Sequence, residues 1–135
     1  MTSEENKNII MNFIEEFKNQ ANHDVIDQIF TDDFVHHLKL PNLPADKEGT
    51  RMIGKMVVAA FPNVHVTVED LLVDGDKVVE RSTARATHKG EFLGVPASNN
   101  EVVWNETHIY RISDGKIAEH WPMLDMFGLM NQIKS

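Results

Sequence analysis

The feature that most constrains this chain is the separation of its two hydrophobic periodicities. Helical stripes occupy the first 61 residues, and strand-like alternation fills most of the remainder. Ile9, Ile10, Phe13, Ile14 and Phe17 recur at helical spacing and make one apolar stripe. Ser3 is placed as the N-cap of that helix, with Glu4 and Glu5 in the first turn, where the helix dipole favours acids. A break at 21–24 leads to a short second helix around Val25, Ile26 and Ile29, with Asp24 as its first-turn acid. Residues 31–40 predict a turn and a short strand at Phe34-Val35-His36-His37-Leu38, and Pro41 and Pro44 exclude a helix immediately after. A third helix carries Gly49, Met52, Ile53, Met56, Val57 and Ala60 on one face and ends at Phe61-Pro62-Asn63.

The second part is a meander. Val64, Val66 and Val68 alternate with His65, Thr67 and Glu69, the pattern of a half-buried strand. Asp74-Gly75-Asp76 is a hairpin turn. Strands are expected at 77–88, 101–112 and 116–121, with a loop at 90–100, a tight turn at Ser113-Asp114-Gly115 and a closing helix or coil from Leu124 to Ile133. Helices first and antiparallel strands after predict an α+β fold with helices on one face of the sheet, as one domain over residues 1–135. A long sheet curled around a long helix leaves a space that side chains do not fill, and that space is the default binding site.

Composition narrows the function. Thirteen Lys and Arg stand against twenty-one Asp and Glu, a net charge of −8 that offers no basic patch for nucleic acid. The absence of cysteine removes disulfides, thiol nucleophiles and thiolate metal sites. No apolar run approaches a membrane span, and Met1 to Lys7 is polar, so a cytoplasmic location is expected by default. No His-x-x-x-His pair occurs, so no metal is expected, and no phosphate loop, dinucleotide fingerprint or nucleophilic serine motif is present.

One series of residues resembles a family. Phe61-Pro62-Asn63-Val64-His65-Val66-Thr67-Val68-Glu69-Asp70 is followed by Asp74-Gly75-Asp76-Lys77-Val78-Val79, then by Thr87-His88-Lys89-Gly90-Glu91-Phe92-Leu93-Gly94-Val95-Pro96. Tyr110-Arg111-Ile112, Asp114-Gly115-Lys116-Ile117, Glu119-His120-Trp121 and Asp125 complete it. In order and spacing this resembles the SnoaL-like polyketide cyclases of the NTF2-like superfamily. The resemblance implies a cone paired as a homodimer through the outer sheet face, and a cofactor-free site in which an acid near the end of the last strand serves an intramolecular aldol closure. The matching acid here is Asp125, its histidine partner is His108, and His36 falls where the short first strand lines the pocket.

The residues themselves suggest how such chemistry is built. Proton abstraction next to a carbonyl needs a base, and the resulting oxyanion needs a donor. Asp125 is the candidate base, or else the N-cap of the closing segment. On the 101–112 strand, Trp104, Glu106, His108 and Tyr110 share one face, which we place toward the cavity. Glu106 there either orients His108 or competes as base. His88, His108 and His120 are the imidazoles of interest, with His88 a candidate for the pocket mouth; His23 and His65 are expected in solvent. Of His36 and His37, which diverge on their strand, His36 is placed inward. Arg81 and Arg85 share one face: either it turns inward and Arg85 binds a substrate carboxylate or enolate, or it lies outside and carries a cross-strand ion pair. Met52, Met56 and Met123, with Phe127, are either core filling or a pliable lining for a flat ligand. Two functions remain: a cofactor-independent cyclase, isomerase or dehydratase acting on a carbonyl compound, and a non-catalytic module that binds a small apolar molecule or dimerises.

Overall fold

A computed structural model of the chain describes residues 2–38 and 40–135. Met1, at the head of the polar N-terminal stretch, and Lys39, within the 31–40 segment, lie outside them. The architecture is α+β: helices precede a curved five-stranded sheet and pack on its inner face.

The first helix, α1, spans Ser3–Phe13. Its N-cap is Thr2 rather than Ser3, because the Thr2 hydroxyl accepts the Glu5 N–H at 3.1 Å. The chain then widens into a π-helix at Ile14–Asn19. There Gln20 N–H reaches back five residues to the Glu15 carbonyl at 3.0 Å. A 3₁₀ turn, His23–Val25, and a single turn, α2 (Ile26–Ile29), lead into strand β1, Phe30–His36. Helix α3 covers Lys47–Ala60, capped by the Asp46 carboxylate on Gly49 N–H at 3.2 Å. Strands β2 (His65–Asp74), β3 (Lys77–Thr87), β4 (Glu101–Ser113) and β5 (Lys116–Leu124) come next, and α4 (Met126–Lys134) closes the chain.

The sheet order is β1-β5-β4-β3-β2, antiparallel except for the β1–β5 pair, which is parallel. Strict alternation on β3 and β4 sends Val78, Glu80, Ser82, Ala84 and Ala86, and Val102, Trp104, Glu106, His108 and Tyr110, to the inner face. On β5 a register shift opposite Arg111 and Ile112 changes the phase. Ile117 and Ala118 are both buried in consequence, and from there His120, Pro122 and Leu124 point in.

The core is aromatic along the α1 stripe. Phe13 stacks on Phe17 at 5.1 Å, meets Phe30 at 5.4 Å, and presents an edge to Tyr110 at 6.0 Å. Helix α3 keeps Gly49 and Ala60 of the expected face buried and Ile53, Met56 and Val57 half-buried, with that face rotated toward Thr50 and Gly54. Its buried residues are Gly49, Thr50, Gly54 and Ala60, while Met52 is 47% exposed. The cause is close approach: a Cβ on Gly54 would lie 2.7 Å from Phe17 Cζ, so only small residues let the two helices meet.

Candidate active site

Between α1, α3 and the inner face of the sheet lies a pocket of about 110 Å³, open on one side. Phe13, Phe17, Ile53, Val57, Val64, Val66 and Leu124 give it apolar walls. Lys18, His23, His36, Thr50, Trp104, Glu106, His108 and His120 are the polar and ionisable residues of its lining.

Its electrostatic centre is a hydrogen-bonded chain. Glu106 Oε2 accepts the indole N–H of Trp104 at 2.8 Å, and Glu106 Oε1 lies 2.7 Å from His108 Nε2. A carboxylate only accepts, so His108 Nε2 carries the hydrogen. His108 Nδ1 sits 2.8 Å from His120 Nε2. In neutral rings, therefore, His120 donates to His108 from Nε2 and keeps a lone pair on Nδ1. That Nδ1 is buried and has no partner among the described residues. Burial, with the neighbouring His108, His36 and Lys18 adding to the shift, holds the His120 pKa well below the usual imidazole range.

His36 has the same tautomer but the other nitrogen engaged. Its Nδ1 accepts the Leu38 N–H at 3.2 Å, so Nε2 carries the proton. Burial lowers its pKa to about 4, with His108 and His37 adding to the shift, and the ring stays neutral. The His36 and His120 rings meet edge to face at 5.2 Å.

Lys18 supplies a fixed positive charge. Its Nζ lies 3.3 Å from Glu106 Oε1 and 4.0 Å from Glu80 Oε2. It also lies 3.3 Å from His108 Nε2, because both donors address the same carboxylate oxygen. Burial opposes the charge, but the carboxylates of Glu80 and Glu106 outweigh it and the Lys18 pKa is raised. The π-helix aims this side chain. Asn19, next in sequence, locks the segment to β2 by donating to the Val66 carbonyl at 3.1 Å and accepting the Val66 N–H at 2.7 Å. Wide helical turns of this kind occur often at functional positions. Glu80 accepts the Tyr110 hydroxyl at 2.6 Å and the Ser82 hydroxyl. Opposed by burial, Lys18, His108 and these bonds hold the Glu80 pKa below the usual carboxylate range. The Glu106 pKa is lowered against its own burial, chiefly by Lys18 and then by His108.

Glu80, Glu106 and His108 place donor atoms within 4.8 Å of one another, as a metal site would. The Lys18 ammonium stands among them at 3.3 to 4.0 Å and is the cation they hold. A divalent ion would lie against that charge.

Of the residues picked out in the sequence, His36, Trp104, Glu106 and His108 come together around the pocket. Asp125 does not. It is exposed, caps α4 by accepting Gly128 N–H at 2.9 Å, and lies outside the pocket lining. The expectation that it faces the cavity is corrected by the β5 phase, which turns Pro122 and Leu124 inward and ends the strand before residue 125. Met123 is 70% exposed for the same alternation, and Phe127 is 80% exposed because α4 buries Leu129 and Ile133 instead. Met52 faces solvent, and Met56 is half-buried against the core without lining the pocket. His88 is fully buried away from it, packing 5.4 Å from Phe61 and accepting Ser98 N–H at 3.1 Å, so it ties down the 88–100 loop. Arg81 and Arg85 are exposed on the outer face, where Arg81 pairs with Asp70 at 2.7 Å. His23, expected in solvent, lines the pocket.

Lys18, His23 and Thr50 were not legible as site residues. The signal for Lys18 was its place beside Phe17, four residues after Ile14, where a charge does not belong on an apolar stripe.

A curved α+β cone whose sheet closes over an ionisable pocket defines the NTF2-like class. Within it, the chain belongs to the SnoaL-like polyketide cyclase family, whose model matches residues 8–133. Among solved structures it is similar to TsrD from Streptomyces laurentii at 26% identity, covering 98% of this chain and 97% of that one with a TM-score of 0.88. AclR from Streptomyces galilaeus, described as a proposed hydroxylase, matches at 26% identity over 98% of each chain with a TM-score of 0.87. IdmH from Streptomyces antibioticus, described as a proposed polyketide cyclase, matches at 28% identity over 96% of this chain and 99% of that one, with a TM-score of 0.83. No curated protein matches the chain in sequence. Among the described residues no helix is long and apolar enough to cross a membrane.

Proposed function

We propose that the chain, as one domain, is a cofactor-independent acid/base enzyme that removes a proton next to a carbonyl and so cyclises, isomerises or dehydrates a small molecule. The observation that carries this reading is the buried, partnerless Nδ1 of His120, a residue of the pocket lining, at the end of the hydrogen-bonded chain running back through His108 to Glu106. In this mechanism His120 Nδ1 takes the α-proton. The C–H electron pair becomes the enolate double bond, and the carbonyl π pair moves onto oxygen. The hydrogen on His120 Nε2 passes to His108 Nδ1, so the positive charge settles beside the Glu106 carboxylate. The new oxyanion accepts from His36 Nε2–H, in the field of Lys18. The enolate carbon then attacks a second carbonyl, or regains a proton at another carbon. Family membership supports the same class of chemistry. The two imidazoles divide base and donor because their partners occupy different ring nitrogens. His108 engages Nε2 of His120 and leaves a lone pair free, whereas the Leu38 N–H engages Nδ1 of His36 and leaves an N–H free.

The test needs no natural substrate. Deuterium incorporation at the α-carbons of cyclohexanone in D₂O, followed by proton NMR, reports proton abstraction directly. The protein is expected to accelerate exchange above buffer. His120→Phe should remove at least ~100-fold of that acceleration, the lower range for a general base. Asp125→Asn should retain it. A ketone that binds without catalysed exchange would leave only a binding module.

The reading includes a homodimer. Val103, Ile109 and Met123 are exposed on the outer sheet face, beside half-buried Trp121 and Val79. Ile109 is paired with both of the latter, so these residues run across adjacent strands as a self-complementary apolar surface.

A further inference from the structure

His120 is not the only unsatisfied group at the pocket. His23 Nε2 and Thr50 Oγ1 are also buried without a partner among the described residues, and both residues line the same space. Thr50 is only 4% exposed. Thr50 and Gly54 lie one turn apart on the inner face of α3, and a Cβ on Gly54 would stand 3.0 Å from His23 Nε2. Gly54 therefore lets the His23 imidazole close against α3, beside Thr50. The position is held firmly: Arg51, on α3, grips the His23 carbonyl at 3.2 Å, Asp24 at 2.6 Å and Asp27 at 2.9 Å. Phe17 covers the other side of the imidazole at 5.0 Å. Two buried polar atoms without partners, on residues that line the pocket, cost stability unless a ligand answers them.

Size points the same way. Drug-sized ligands occupy roughly 300 Å³ or more, whereas an apolar cavity of about 150 Å³ takes a single benzene ring. This pocket has about 110 Å³.

We infer that the pocket takes a compact ligand of single-ring size with oxygen functions at both ends, a carbonyl at His120 and His36 and a hydroxyl read by Thr50 and His23. A hydroxyl fits the second place because it donates to one partner and accepts from the other. This rests on the acid/base reading for the position of the carbonyl, but the hydroxyl subsite is tested apart from it.

Affinities of the full chain for cyclohexanone, 4-hydroxycyclohexanone and the fused-ring ketone 1-tetralone would be measured by NMR titration. The hydroxyl should improve affinity roughly threefold to tenfold over cyclohexanone, the worth of a neutral hydrogen bond. Thr50→Val should erase that preference, while Thr50→Ser restores it. The free Thr50→Val protein should melt no lower than the parent, because an isosteric change removes an unanswered buried hydroxyl. The inference is overturned if the preference survives Thr50→Val, if 1-tetralone binds as tightly as the single rings, or if none of the three binds. Exchange on cyclohexanone with no hydroxyl preference sinks the subsite alone. Exchange that survives His120→Phe sinks the acid/base reading alone.

Discussion

Lys18 holds together charges that would otherwise repel across β3 and β4. Removing it leaves two buried carboxylates facing each other without a counter-charge. Lys18→Met is expected to lower unfolding stability by roughly 3–5 kcal/mol, the cost of breaking a buried pair from one side. Urea denaturation measures this, and adding Glu106→Gln should recover part of the loss. The imidazoles leave a separate mark on pH dependence. His36 in the folded chain binds its proton only near pH 4, and His120 is shifted the same way, whereas unfolded imidazoles bind theirs near about 6.5. Between those values the unfolded state holds more protons, so stability falls as pH drops from about 6.5 toward 4. The lowered pKa values of Glu80 and Glu106 act in another window: their contribution is present above about 4.5 and fades below it. His36→Asn, whose amide oxygen can still accept from Leu38 N–H, should make the upper window shallower, leaving the share of His120 and the whole lower window, read from denaturation midpoints across pH.

At the scale of elements, alternation on β4 was readable because its period of two runs unbroken from Val102 to Ile112. That is why Trp104, Glu106 and His108 could be placed on one face from the sequence alone. The phase of β5 was not readable. One extra residue opposite Arg111 and Ile112 decides whether Glu119 or His120 turns inward, and nothing in the string Ile117-Ala118-Glu119-His120 marks it. The same shift leaves Asp125 beyond the strand, free to cap α4. Asp125→Ala should therefore cost about 1 kcal/mol of stability, the worth of a lost N-cap, in thermal or urea unfolding. On α3 the expected face is rotated toward Thr50 and Gly54, which leaves only Met52 of its large residues exposed. Large residues predict the buried stripe only when there is room for them, and Phe17 leaves none at Gly54. Gly54→Ala should destabilise by about 1–3 kcal/mol through overpacking, measured as a drop in Tm together with a changed His23 ring signal.

For the whole molecule, the order of helices and strands and two Asp-Gly turns were enough to specify the architecture, since each local preference agrees with the final topology. The pocket's contents were not, because they arise where the π-helix, α3 and β5 each depart from regular period. Association through the outer face is expected from the apolar residues left on β4 and β5. Ile109→Arg should shift the chain from dimer to monomer in light scattering without lowering exchange activity, because residue 109 faces away from the pocket.

The claim on which the functional account depends is that His120 bears its hydrogen on Nε2 and a free pair on Nδ1. Histidine-labelled ¹⁵N NMR correlating each ring nitrogen with the ring hydrogens reads this directly. The account predicts an unprotonated His120 Nδ1 throughout the neutral range and well below the usual imidazole titration, with its signal moving when a ketone is added. A His120 that carries hydrogen on Nδ1, or that titrates like a free imidazole and ignores the ketone, would contradict it.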